Sequence, residues 1–309
     1  MNVKKVHFQS AGLTLVGQLY LPENFSAEQR YKTVVVTPPA HQIKEQTAAV
    51  YGSKFAQQGF VFLAFDYTSK GDSDVYRNGF RNDENSFRKQ EDLRNAISFL
   101  CSLPYVDTEE LYGVGICGGG TIMSSVLITD LRVKAFASVS AMLATDALFF
   151  SDTDAFRGMI NAANQSRQVM FNSEMPHTID LFGYDDPDYI ENNPDVSAGM
   201  LEGYDYYGTP RAGSETYPNF SNQVLGNIYD TAVLNIGEHY ADKMQQPFLG
   251  IVGEQAETAF STELFFDKVT SAKELFRVPG ASHLDLYDVD EYVDVAVEKM
   301  VTFFSSAVR

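Results

Sequence analysis

Residues 113–120 read GVGICGGG, a stretch that sets one of only two cysteines among five glycines. It closes an apolar run, LYGVGI, with the length and composition of a buried strand, and a helical pattern follows it. A strand that ends on Gly-x-Cys-x-Gly and passes at once into a helix is the cysteine form of a nucleophile elbow. The turn must be sharp enough to push the Cys117 side chain out at the end of a sheet. Gly115 and Gly119, two residues before and after it, then come too close to their neighbours for a Cβ. Gly118 leaves its N–H at the helix start free to hold an oxyanion, and Gly120 permits a close approach by the helix. Two other readings stay open here. Gly113, Gly115 and Gly118 also spell G-x-G-x-x-G, a dinucleotide fingerprint, but in mid-chain and with a cysteine where the helix begins. A phosphate-binding loop would end in GK[ST], which is missing, whereas an inert thiol in a tight turn needs nothing more.

Outward from the elbow, strand and helix patterns alternate. Residues 3–10 and 13–22 alternate apolar and polar around Ala11-Gly12, which predicts a β-hairpin. KTVVVTPP (32–39) and FVFLAFDYT (60–68) read as buried strands with a helix between them over 47–58. A long helix is expected over 85–103, its inner face formed by Phe87, Leu93, Ile97 and Leu100. After the elbow come the strand VKAFASVSA (133–141), then PFLGIVGE (247–254), a helix near 262–271, the strand KELFRVPG (273–280) and a C-terminal helix over 288–305. Strands alternating with helices imply α/β architecture, a mostly parallel twisted sheet with helices on both faces. The stretch 142–245 breaks the pattern with few strand-like runs, and between 178 and 220 it holds nine acids against one base, Arg211. The expected division is a core of 1–141 and 246–309 with an inserted cap over 142–245.

Forty-one acids against 23 bases leave a net charge of −18. That balance argues against nucleic acid, whose affinity comes from Lys and Arg neutralising phosphates, and against anionic membranes. The first 22 residues lack the apolar core and small-residue site of a signal peptide, and no run is long enough to span a membrane. Two cysteines make no disulfide framework, so a reducing, cytoplasmic setting is expected. Cys101, in the apolar face ISFLCSLP, reads as a packed thiol.

An elbow nucleophile needs a histidine beyond the last strand. Of the five, His7, His41, His177, His239 and His283, only His283 in FRVPGASHLDLYD has that place. The pair would work as thiolate and imidazolium, because a neighbouring imidazolium and a helix N-terminus lower a thiol's pKa. Cys117, His283 and His41 show no metal-ligand spacing, so neither metal nor cofactor is implied. The aromatic side chains of the insertion, Phe149 and Tyr207 among them, are candidates to line an acyl pocket.

With the stretches VVVTPPAHQIKEQTAAVYGSKFAQQGFVFLAFDYTSKGDSD, GVGICGGG and VPGASHLDLYD, the chain resembles the α/β-hydrolase superfamily. Within it, the chain is similar to dienelactone-hydrolase-like proteins with a cysteine elbow, a subgroup related to fungal polyketide transferases. The resemblance runs from about residue 5 to the C-terminus and is weakest in the insertion, where YDYYGTPRA matches best. It implies an α/β-hydrolase fold and acyl transfer on a small-molecule substrate, by hydrolysis of an ester, thioester or lactone through an acyl-cysteine. Alternatives are transfer to an acceptor other than water, or a ligand-binding protein that keeps the fold without the chemistry. A homo-oligomer is left open. Where a Gly-rich turn is usual in the subgroup, this chain has Pro38-Pro39-Ala40-His41, so the second oxyanion donor falls to the N–H of Ala40 or His41. The resemblance also implies an acid after the strand 247–254, three residues past Gly253, where Ala256 stands instead. Glu254 and Glu257 flank that position, and Asp285 is a third candidate.

Overall fold

The computed structural model describes residues 2–76, 80–192 and 196–307. The hairpin forms as strands β1 (Asn2–Ser10) and β2 (Leu13–Leu21), followed by β3 (Tyr31–Thr37), α1 (Thr47–Gln57), β4 (Val61–Phe65), α2 (Ser86–Ser102), β5 (Val106–Ile116), α3 (Gly118–Leu127) and β6 (Ala135–Val139). The insertion carries α4 (Thr153–Ser173), β7 (Thr178–Asp180), α5 (Pro187–Asn192), α6 (Ala198–Tyr207), β8 (Gln223–Leu225) and α7 (Tyr229–Ala232). The chain then returns as β9 (Phe248–Gly253), α8 (Ala259–Lys268), β10 (Lys273–Val278), α9 (Asp285–Asp288) and α10 (Asp290–Ala307). Eight strands make one sheet in the order β1-β2-β4-β3-β5-β6-β9-β10, while β7 and β8 pair separately. The hairpin joins antiparallel, and β4, β3, β5, β6, β9 and β10 run parallel to one another.

Successive side chains of a strand face opposite sides of a sheet, and the central strands are apolar on both. Val34 and Val36 of β3, with Phe62 and Ala64 of β4, pack on the side of α1 and α10, against Tyr51, Phe55 and Phe304. Val35, Leu63 and Phe65 face the other layer, where Leu93 and Ile97 of α2, Met123 of α3 and Phe265 of α8 close the core. The expected inner face of α2 is corrected at one position. Phe87 is exposed, and Lys89 turns inward in its neighbourhood because Glu84 pairs with it. All parallel strands end at one edge, so the loops after β3, β5, β6, β9 and β10 meet there, and the insertion between β6 and β9 packs over them.

Candidate active site

Cys117 stands between β5 and α3 with φ 50° and ψ −124°, a backbone region that costs a non-glycine residue on the order of 1–3 kcal/mol. Its neighbours over-determine that conformation. The Cys117 N–H donates to the Val139 carbonyl of β6, and its carbonyl accepts from the N–H groups of Gly120 and Met142. A Cβ on Gly115 would lie 2.7 Å from Gly120 Cα, and one on Gly119 would lie 2.0 Å from the Thr37 carbonyl oxygen. The close approach at Gly119 draws the 38–41 loop over the cysteine, where the Ala40 and Gly118 N–H groups stand by its sulfur and favour its ionised form.

His41, the other donor expected from this loop, is engaged elsewhere. Its N–H donates to Glu84 Oε2 at 3.1 Å, and its carbonyl accepts from Lys70 Nζ at 3.4 Å. The clamp holds His41 at φ 53° and leaves Ala40 as the loop's candidate donor. Burial alone would raise the Glu84 carboxyl, but Lys70 and Lys89 beside it hold it far below the usual carboxylate range.

His283 follows β10 and is buried. Its Nε2 lies 3.1 Å from the Tyr287 hydroxyl, and Thr258 Oγ1 hydrogen-bonds its Nδ1. The same Tyr287 hydroxyl stands by the Cys117 sulfur and favours its ionised form, so cysteine and histidine meet through a phenol. Burial holds the imidazole down to about 4 and pushes the thiol up. Both shifts oppose the expected thiolate–imidazolium pair, because a dry site disfavours charge on either group.

The model of the dienelactone hydrolase family matches residues 17–146. PA2218 of Pseudomonas aeruginosa is 30% identical over 92% of this chain and 76% of its own. The chain belongs to the dienelactone hydrolase family. The crystal structure of PA2218 superposes with a TM-score of 0.84, covering 99% of this chain and 94% of that one at 27% identity. The α/β hydrolase GrgF from Penicillium sp. sh18 superposes at 0.77, over 100% of this chain and 99% of its own, with 20% identity, and shares the α/β-hydrolase fold. The polyketide transferase claH of Penicillium crustosum is 28% identical over 72% of this chain and 70% of its own.

For a dienelactone hydrolase family member, the group at Nδ1 of the histidine departs from expectation. None of the three candidate acids holds that position. Glu254 Oε2 accepts from the Gly280 N–H at 3.0 Å, and Asp285 Oδ2 from the Ser282 N–H at 2.9 Å. Glu257 lines the cavity in front of Cys117 and His283. The cause is the turn after β9, closed by Gln255 N–H to the Ala281 carbonyl at 2.9 Å and Ala256 N–H to the Gly253 carbonyl at 3.2 Å. That path sets Thr258 opposite the imidazole. A carboxylate does reach the histidine loop, from the insertion: Glu202 of α6 accepts from the Ser282 hydroxyl and the Leu284 N–H. Thr258, Tyr287 and Glu202 all escaped the sequence reading. Tyr287 lies four residues after His283, but His283 precedes α9, so no helical spacing marked the pair.

The cavity before Cys117 measures about 390 Å³ and is lined also by Met142, Tyr184 and Tyr207. Phe149 does not reach it. That side chain is exposed on one side and lines a second cavity of about 140 Å³ beyond Ala40. Among the described residues, no group of His, Cys, Asp and Glu could hold a metal ion, and no helix is long and apolar enough to cross a membrane.

Proposed function

We propose that this hydrolase cleaves an ester or thioester of a small molecule through an acyl-cysteine at Cys117. The observation that carries the reading is the position of the Cys117 sulfur, under the N–H groups of Ala40 and Gly118 and on the hydroxyl that Tyr287 shares with His283. A neutral imidazole offers one donor and one acceptor. With Nδ1–H donated to Thr258, Nε2 accepts from Tyr287, which in turn accepts from the thiol. As sulfur attacks the carbonyl carbon, the thiol proton passes to the Tyr287 oxygen and the phenol proton to His283 Nε2. The carbonyl oxygen takes up negative charge against the two N–H groups, each typically worth on the order of 10²–10³ in rate. Collapse breaks the bond to the leaving group, which departs with the proton from Nε2. Water then attacks the acyl-cysteine with His283 as base, and the thiol re-forms.

A second reading is favoured by the burial of Cys117 and His283, which limits water at the site: transfer to an alcohol, amine or thiol in place of water. The name of claH, polyketide transferase, supports it. One assay separates the two. With p-nitrophenyl and thioester substrates of graded chain length, a hydrolase gives free acid alone, whereas a transferase diverts product when small alcohols or amines are added. Intact-mass spectrometry after rapid quenching should show an acyl adduct on the wild type and none on Cys117→Ala, which should lose turnover while keeping its fold. An alanine variant with wild-type turnover overturns the cysteine mechanism.

A further inference from the structure

Both ring nitrogens of His283 face hydroxyls, Thr258 at Nδ1 and Tyr287 at Nε2. A carboxylate can only accept, but a hydroxyl is equally able to donate. Thr258 holds the proton on Nδ1 only while it accepts from it, so what keeps it in that role must come from the other side of the ring. A group of fixed role stands there, at the far end of a chain of hydroxyls. Gln42 follows the loop that carries Ala40 and is 2% exposed. Its Oε1 accepts from the Thr47 N–H at the start of α1, at 3.2 Å. That contact turns its Nε2 to Tyr207, whose hydroxyl accepts from it at 3.0 Å. Tyr207 is buried in the wall of the cavity before Cys117, and its hydroxyl stands by that of Tyr287.

We infer that Gln42 and Tyr207 are positioning residues that fix the tautomer of His283 through Tyr287. The inference rests on the acyl-transfer reading and deepens it. Gln42 Nε2 has only protons to offer, so the Tyr207 oxygen accepts from it and Tyr207 must place its own proton elsewhere. Among the described residues no carbonyl or carboxylate receives that proton, and the acceptor beside it is the Tyr287 oxygen. A buried hydroxyl proton left unmatched is costly. Tyr287 therefore accepts from Tyr207 and turns its proton to His283 Nε2, 3.1 Å away. The ring is left with its own proton on Nδ1, and Thr258 accepts it. The second lone pair of the phenol remains for the thiol proton of Cys117. The chain also ties the base to the oxyanion loop, because Gln42 lies two residues after Ala40.

The test reads the tautomer directly, from the nitrogen NMR shifts of the imidazole in protein labelled at histidine, with His283→Gln identifying the signal. In wild type Nδ1 should carry the proton and Nε2 should be bare. Gln42→Glu keeps an acceptor for the Thr47 N–H, and the N-terminus of α1 favours its charge. It replaces the donor to Tyr207 by an acceptor, so the chain reverses and the proton should move to Nε2. In that variant kcat should fall by about a hundredfold or more, towards the ~10⁴ lost by a serine triad in the wrong tautomer, with KM within about threefold. KM is spared because Gln42 stands behind the cavity wall, not in it. Tyr207→Phe cuts the chain and should leave the two tautomers mixed, and Gln42→Glu added to it should change the mixture no further. A bare Nδ1 in wild type, or a proton that stays on Nδ1 in both Gln42→Glu and Tyr207→Phe, overturns the inference. A tautomer that follows Gln42 in a protein whose Cys117 is never acylated keeps the inference and overturns the acyl-transfer reading instead.

Discussion

His283 meets a threonine hydroxyl where a serine triad has a carboxylate, and that changes when the imidazole can carry charge. An acid at Nδ1 fixes the tautomer and stabilises the imidazolium; Thr258 can do the first but not the second. The arrangement is workable because a thiol gives up its proton far more readily than an alcohol does. With the imidazole held to about 4 by burial, kcat/KM should stay flat from pH 7 down to pH 5. Thr258→Asp should stabilise the imidazolium and raise its pKa, so that activity falls off below about pH 6.5. Thr258→Val, which frees the ring to turn, should lose about tenfold in kcat. Glu254→Gln, whose side chain serves the Gly280 N–H, should stay within about twofold of wild type. A large loss at Glu254 would restore it as the orienting acid.

The β5–α3 elbow is the element on which the site depends, and it was the most legible part of the chain. Its glycines announce themselves because a Cβ at Gly119 would meet the Thr37 carbonyl at 2.0 Å and the Pro38 carbonyl at 2.4 Å, contacts to backbone that no side chain can relieve. Gly119→Ala should therefore cost about 3 kcal/mol or more, read as a fall in the urea midpoint, or should prevent folding. Gly158→Ala, with nothing within 4 Å of the new Cβ and in mid-helix, should be neutral or stabilise by up to about 1 kcal/mol. The strands were legible for a related reason: apolar runs of strand length leave little choice. The groups around the elbow were not. His41 N–H reaches Glu84, 43 residues on, and Thr258 reaches His283 across 25 residues, pairings that no local pattern encodes. Lys89 looks like a solvated helix residue until Glu84 is seen beside it. The acid failed for a subtler cause, since spacing after β9 locates a turn but not the direction its side chains take.

In the whole molecule, the insertion is tied to the core by polar contacts as well as aromatic ones. Arg211 pairs with Asp288, Tyr206 with Thr47 at 2.9 Å, and the His41 ring lies 4.8 Å from Tyr207 and 5.2 Å from Phe220 between centroids. The fit buries two imidazoles in neutral form. Burial lowers His41 to about 4, with Lys70 adding to the effect, and burial lowers His283 to about 4 as well. In the unfolded chain both titrate near ~6.5, so below that pH the unfolded state binds protons that the fold refuses. This part of the stability is complete above about pH 6.5 and is lost progressively as pH falls towards 4. Two protons taken up on unfolding correspond to a slope of up to about 2.7 kcal/mol per pH unit. Carboxyls that burial holds up, those of Asp83, Asp92 and Glu202, act in the opposite sense, but only nearer the carboxylate range. The loss should therefore be clear between pH 6.5 and 5, as a falling unfolding free energy in urea titrations at fixed salt. His283→Gln removes one of the two protons and should halve the slope over that interval. An unchanged slope would mean that His283 takes up no extra proton on unfolding and that its ring is protonated in the fold.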